Sequence, residues 1–187
     1  AVTVPVVTGR ATRLGALPVT VAAADAPAAV APAQVHAESL AHDEAAKLGS
    51  GTALALVLRR ADGQNGTGRL RLTVDYSQFA AGFGGDYAQR LRVVKLPGDC
   101  AARPDAGGCA AGTPVPASND LANRTLTATV ETTGDPVVYA VASSSLGSTG
   151  DYRATDLNVS EKWTAGSPRG PLAASGPADV PPPPPAL

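Results

Sequence analysis

Methionine is absent from all 187 positions, the first included. Ala1 therefore reads as the start of a processed chain or of a fragment, and a removed export signal fits it. Aromatic residues are only 4% of the chain, so any core has to be built from Val, Leu and Ala. Neither sign of charge dominates: 15 Lys and Arg stand against 16 Asp and Glu. That balance argues against a nucleic-acid binder, which carries a strong basic excess. No apolar run approaches the roughly 18 residues of a membrane-spanning helix. Histidine and cysteine occur twice each, which leaves little material for a metal centre.

What is present is a 44% apolar fraction with 20 glycines and 17 prolines. The first is enough for a packed core and the second implies many turns. The clearest pattern is Arg69-Leu70-Arg71-Leu72-Thr73-Val74-Asp75-Tyr76. Leu70, Leu72, Val74 and Tyr76 fall on one side and charged or hydroxyl residues on the other, the period-two signature of a half-buried strand. Leu126, Ala128 and Val130 repeat it in Thr125–Glu131. Ala53–Arg59 and Val137–Ala142 are instead near-continuous apolar runs of strand length. Val19–Val21, Gln34–Leu40 and Arg90–Leu96 read as further strands, and His42–Leu48 as a single helical turn. The turn formers of Ala61–Gly68 predict a hairpin between the runs on either side. Phe79, Phe83 and Tyr87 are expected to plug one end of the core. Asp151–Leu157 and Glu161–Trp163 read as one or two late strands.

Short strands separated by Gly/Pro turns, with no long helical period, predict an all-β fold: an antiparallel β-sandwich of immunoglobulin or jelly-roll type. The expected boundaries are an N-terminal extension over 1–15, the sandwich over 16–165, and a Gly/Pro-rich linker or tail over 166–187. Within the sandwich, Ala22–Pro32 reads as a flexible link. The tail ends in five consecutive prolines, Pro181–Pro185, whose natural form is polyproline II.

Cys100 and Cys109 share one Gly/Pro-rich segment. They read as a local disulfide that pins a loop, which implies an oxidising, extracytoplasmic setting. Two free thiols are the alternative reading.

Candidate sites were weighed against plainer roles. His36 and His42 with Glu38, Asp43 and Glu44 form the one His/carboxylate cluster, but a strand and a later turn need not bring their donors together, so they read as solvated residues and no metal is expected. No G-x-S-x-G elbow is present. Asp75 and Asp86 would be the pair for a glycosidase. Their simpler reading is a solvated strand face and a Gly-rich turn. Asp86 and Asp151 both stand in Gly-Asp-Tyr, the mark of an Asx turn more than of a calcium site. No catalytic residue and no cofactor is therefore expected. A binding surface is the remaining option. Arg69, Arg71, Arg90 and Arg92 on one sheet face, with Trp163 as an aromatic platform, would suit an anionic cell-wall polymer or carbohydrate. The plainer roles are solvated strand faces and a core plug.

Several motifs occur in a fixed order. They are Leu17-Pro18-Val19-Thr20-Val21, then Val74-Asp75-Tyr76-Ser77-Gln78-Phe79, then Gly84 to Val94, then Leu96-Pro97 and the two cysteines. Thr113-Pro114-Val115-Pro116, Asn119-Asp120, Gly150 to Leu157 and Trp163-Thr164-Ala165-Gly166 follow. This series resembles the N-terminal region of large secreted actinobacterial RHS/YD-repeat proteins, over roughly residues 16–166. Tyr87 stands where that family carries Trp, and residues 166–179 lack its aromatics. The resemblance implies a secreted, non-catalytic β-rich module ahead of a hollow repeat shell of the toxin-like kind. Its expected partner is that downstream shell, which it would cap or anchor.

Overall fold

The computed structural model describes residues 1–24, 31–49, 51–80, 86–106, 108–109 and 112–143. They form an antiparallel β-sandwich. One sheet has six strands in the order β1-β4-β5-β11-β7-β8, and the other has five in the order β2-β3-β6-β10-β9. The strands are β1 (Val2–Pro5), β2 (Thr12–Arg13), β3 (Val19–Ala23), β4 (Gln34–Ser39), β5 (Thr52–Arg60) and β6 (Gly68–Asp75). They continue with β7 (Leu91–Leu96), β8 (Thr113–Val115), β9 (Ala117–Asp120), β10 (Thr125–Thr132) and β11 (Val137–Ser143). One short helix, α1 (His42–Lys47), lies between β4 and β5.

The alternating strands sit where one face only is covered. β6 and β10 pair so that Leu70, Leu72 and Val74 lie opposite Val130, Ala128 and Leu126. All six are almost fully buried between the sheets, with Leu14, Val19, Val21, Val35, Leu56, Leu58, Tyr139 and Val141. Each such side chain contributes roughly 1.5–3 kcal/mol on burial. The intervening pairs Arg69↔Glu131, Arg71↔Thr129 and Thr73↔Thr127 face outward.

The continuous apolar runs have a different cause. β5 and β11 are central strands of the six-stranded sheet, which is covered on both faces. Leu56, Leu58 and Tyr139 point into the sandwich. Ala55, Val57, Val138 and Ala140 point the other way, into a second apolar cluster with Val94 and Leu96 of β7, Ala45 and Leu48 from the α1 region, and the two cysteines. A strand buried on both faces has no need of polar alternation. The covering pieces, α1 and the segment after β7, lie in the connections of β4–β5 and β7–β8, each of which is a paired couple. Beyond that cover, the same face carries His36, Glu38 and Arg59, which are polar.

Three expectations change. The runs on either side of Ala61–Gly68 do not form a hairpin: β5 lies in the six-stranded sheet and β6 in the five-stranded one. A connection of this length spans the sandwich instead of closing a tight turn, and each strand finds closer partners elsewhere, β4 and β11 for β5, β3 and β10 for β6. The segment 1–15 is part of the sandwich, because β1 pairs with β4 and β2 with β3. Ala22 and Ala23, read as the start of a link, complete β3 beside Arg71 and Leu70. The proposed late strands, Trp163 and the Pro-rich tail lie outside the described residues, as does Phe83.

Candidate functional site

The polar groups that the fold holds most firmly stand where the chain passes between sheets. At the end of β5, Arg60 donates from Nε and Nη2 to the two oxygens of Asp62, at 3.0 and 2.7 Å, and from Nη1 to the carbonyl of Gly66 at 2.8 Å. Asp62 also accepts from the backbone N–H groups of Ala33 and Gln64. The side chains are only 5% and 9% exposed. The guanidinium, followed by the two backbone donors, holds the Asp62 carboxyl far below the usual carboxylate range. The crossover from β5 to β6 is thereby tied to the chain entering β4.

On the side of the sandwich where β8 passes into β9, a shallow cleft of about 240 Å³ is lined by Arg69, Lys95, Thr113–Pro116, Thr129–Glu131 and Tyr139. Glu131 stands between two cations: Lys95 Nζ at 3.3 Å, from the other sheet, and Arg69 Nη2 at 3.7 Å. All three side chains are nearly half exposed, so the Coulomb gain is small. The firmer tie is Tyr139. Its hydroxyl accepts the Glu131 N–H at 2.9 Å and donates to the Glu131 carbonyl at 2.7 Å. Burial pushes that hydroxyl's pKa up to about 12.

At the opposite end, Tyr76 donates to Asn119 Oδ1 at 2.8 Å, and Asn119 Nδ2 donates to the Ala88 carbonyl at 2.7 Å. Tyr87 donates to the Gly51 carbonyl at 2.9 Å and is likewise pushed up to about 12 by burial. Phe79 packs against Tyr76 with ring centroids 6.4 Å apart. Tyr87 and Phe79 thus plug one end of the core, as expected.

The residues singled out from sequence are scattered. Arg69 and Arg71 lie on the outward side of β6, while Arg92 lies outward on β7, in the other sheet. Arg90 sits in the short 3₁₀ turn before β7 and pairs with Asp86 at 3.0 Å. The expectation of one continuous arginine face is therefore corrected: the sheet order splits it. Trp163 lies outside the described residues. His36 faces Thr3 across the β1–β4 pair, with Nδ1 2.9 Å from the threonine hydroxyl, and His42 opens α1. No group of three or more His, Cys, Asp or Glu converges among the described residues. Asp75 accepts the Ser77 N–H at 2.9 Å, chiefly which lowers its pKa.

Cys100 and Cys109 form a disulfide with Cα atoms 5.7 Å apart. Both are buried on the outer face of the six-stranded sheet.

Sequence reasoning assigned no site role to Lys95, Glu131 or Tyr139, although all three stood in strands it placed correctly. An acidic residue ending an alternating strand and a tyrosine within an apolar run were the only signals.

Fold and polar framework together define a disulfide-bearing antiparallel β-sandwich. No family model, no curated protein and no solved structure matches the chain.

Proposed function

We propose that this chain is a non-catalytic structural and interaction module of an extracytoplasmic protein, standing ahead of an RHS/YD-repeat shell that it caps or anchors. The observation that carries the non-catalytic reading is how the fold uses its perturbed carboxylates. Asp62, Asp75 and Asp120 all have lowered pKa values, and each accepts backbone N–H groups that shape its turn or crossover, Asp62 from Ala33 as well as Gln64. A general acid or base near neutral pH needs the opposite shift. The buried cystine supports an oxidising compartment. The order of motifs from Leu17 to Gly166 supports the repeat-protein setting. The sheet order places Arg69 and Arg71 on one sheet and Arg92 on the other, and Trp163, the aromatic platform of the wall-polymer and carbohydrate reading, lies outside the described residues.

The test is to read the gene past the codon for Leu187, then to pull down the expressed repeats with chain 1–187. The expected result is an open frame continuing into tandem YD-type repeats, followed by co-purification. A stop codon directly after Leu187 would overturn the proposed setting. Sedimentation on purified cell wall would then be measured.

A further inference from the structure

The two apolar clusters of the molecule differ in what closes them. Among the described residues, the cluster between the sheets takes its members from strands and the turns that flank them, Tyr87 of the 3₁₀ turn before β7 included, and none from the segment 97–109. The cluster on the outer face of the six-stranded sheet depends on that segment. Cys100 and Cys109 are fully buried in it, and Ala101 and Ala106 pack against it.

The segment's own bonding is local. The N–H groups of Cys100, Ala102, Arg103, Ala106 and Cys109 donate to the carbonyls of Pro97, Asp99, Asp99, Arg103 and Ala106 respectively. Among the described residues, these bonds shape the segment without fastening it to the sheet. The side chains that the segment buries are the two cysteines and Pro104, with Ala101 and Ala106 packed against the same cluster. The alanine methyls bury little area, so Pro104 and the cystine carry most of what the segment buries. The Asp99–Arg103 ion pair is well exposed, at 3.7 Å, and adds little.

We propose that the Cys100–Cys109 cystine is a redox latch on a separable outer layer, which opens on reduction while the sandwich beneath stays folded. In the opening step a local fluctuation of the segment exposes the buried cystine, a dithiol reductant attacks one sulfur and the S–S bond breaks. A second exchange releases two protein thiols, which take up the two dithiol protons, and the reductant leaves as its cyclic disulfide. The protein gains two electrons and two protons. The segment then lifts and bares Val94, Leu96, Val138 and Ala140. Oxidation reverses the step. A chain kept reduced before export would thus carry an apolar patch that closes only once it reaches an oxidising compartment.

The test is native-state hydrogen exchange on the full 187-residue chain, oxidised and after treatment with dithiothreitol, with dye binding as a second readout. On reduction, the amides of Ala102, Arg103, Ala106 and Cys109 are expected to lose about 100-fold in protection, the factor associated with closing a loop of this size. The amides of Leu72 and Ala128 should change by less than about threefold, and an apolar dye should bind. Reoxidation should restore all three readings. The double variant Cys100→Ser, Cys109→Ser should reproduce the reduced state without reductant. Parallel loss of protection in Leu72 and Ala128 would overturn the proposal, because the layers would then be one cooperative unit. Unchanged protection in the segment, or a double variant that does not fold, would overturn it as well.

Discussion

Asp62 shows how much a single side chain does here. It neutralises Arg60, accepts two backbone N–H groups and joins the β5–β6 crossover to the chain before β4. Its pKa in the folded chain lies below the value of about 3.9 expected when unfolded. The folded state therefore binds fewer protons, and the stabilisation is fully present above the unfolded pKa. It is lost as pH falls from about 4 toward the folded value. Asp75 and Asp120 shift in the same direction and add to the trend. Denaturant midpoints should therefore stay level from pH 7 to about 5 and drop below about 4. Asp62→Asn leaves Arg60 charged and short of its partner, so it should cost about 3–5 kcal/mol at pH 7, the range for breaking a buried pair. The same substitution should flatten the acid limb of the curve. An unchanged midpoint at pH 7 would show that the pair contributes nothing.

At the scale of elements, patterning told which side of a strand was covered but not which strand lay beside it. Leu70, Leu72 and Val74 were placed correctly because period two follows directly from one-sided burial. The apolar run of β5 was recognised as a strand, yet its second covered face was not legible, because α1 and the cystine segment reach it through folding and not through local pattern. Sheet membership was equally hidden: the residues of Ala61–Gly68 suit a turn, and only the strand pairing reveals a crossover. β8 and β9 escaped notice because they are short and largely exposed, with Pro114 and Pro116 blurring the alternation. The inter-sheet contacts of Glu131 and Tyr139 depend on that unseen sheet order. One element boundary is sharply testable. A Cβ at Gly112, just before β8, would collide with Val94, Leu96 and the Lys95 carbonyl. Two of these are side chains under the outer layer, so relief means moving β8 off β7. Gly112→Ala should destabilise by about 1–3 kcal/mol in chemical denaturation, the usual cost of overpacking. Gly108→Ala, where a Cβ meets nothing within 4 Å, serves as the control and should stay within about 0.5 kcal/mol.

At the scale of the molecule, the chain is laid down in paired couples: β2 with β3, β4 with β5, β7 with β8 and β9 with β10. The remaining partners are distant. β5 meets β11, with Leu58 beside Val137, and β6 meets β10, with Leu70 beside Val130. One of the two central strands of the six-stranded sheet, β11, is thus the last strand among the described residues, and it slots between two that precede it. Neither sheet can close until almost the whole of that chain is available. Loop-closure entropy must be met before those distant contacts give anything back. In stopped-flow refolding, the chain should therefore fold in milliseconds to seconds and not in microseconds, as is usual for sandwiches dominated by non-local pairing. During synthesis on a ribosome the consequence is sharper. A nascent chain stopped before Val137 holds every strand of the five-stranded sheet but lacks the strand that joins β4–β5 to β7–β8, so the six-stranded sheet is the one whose assembly waits for β11.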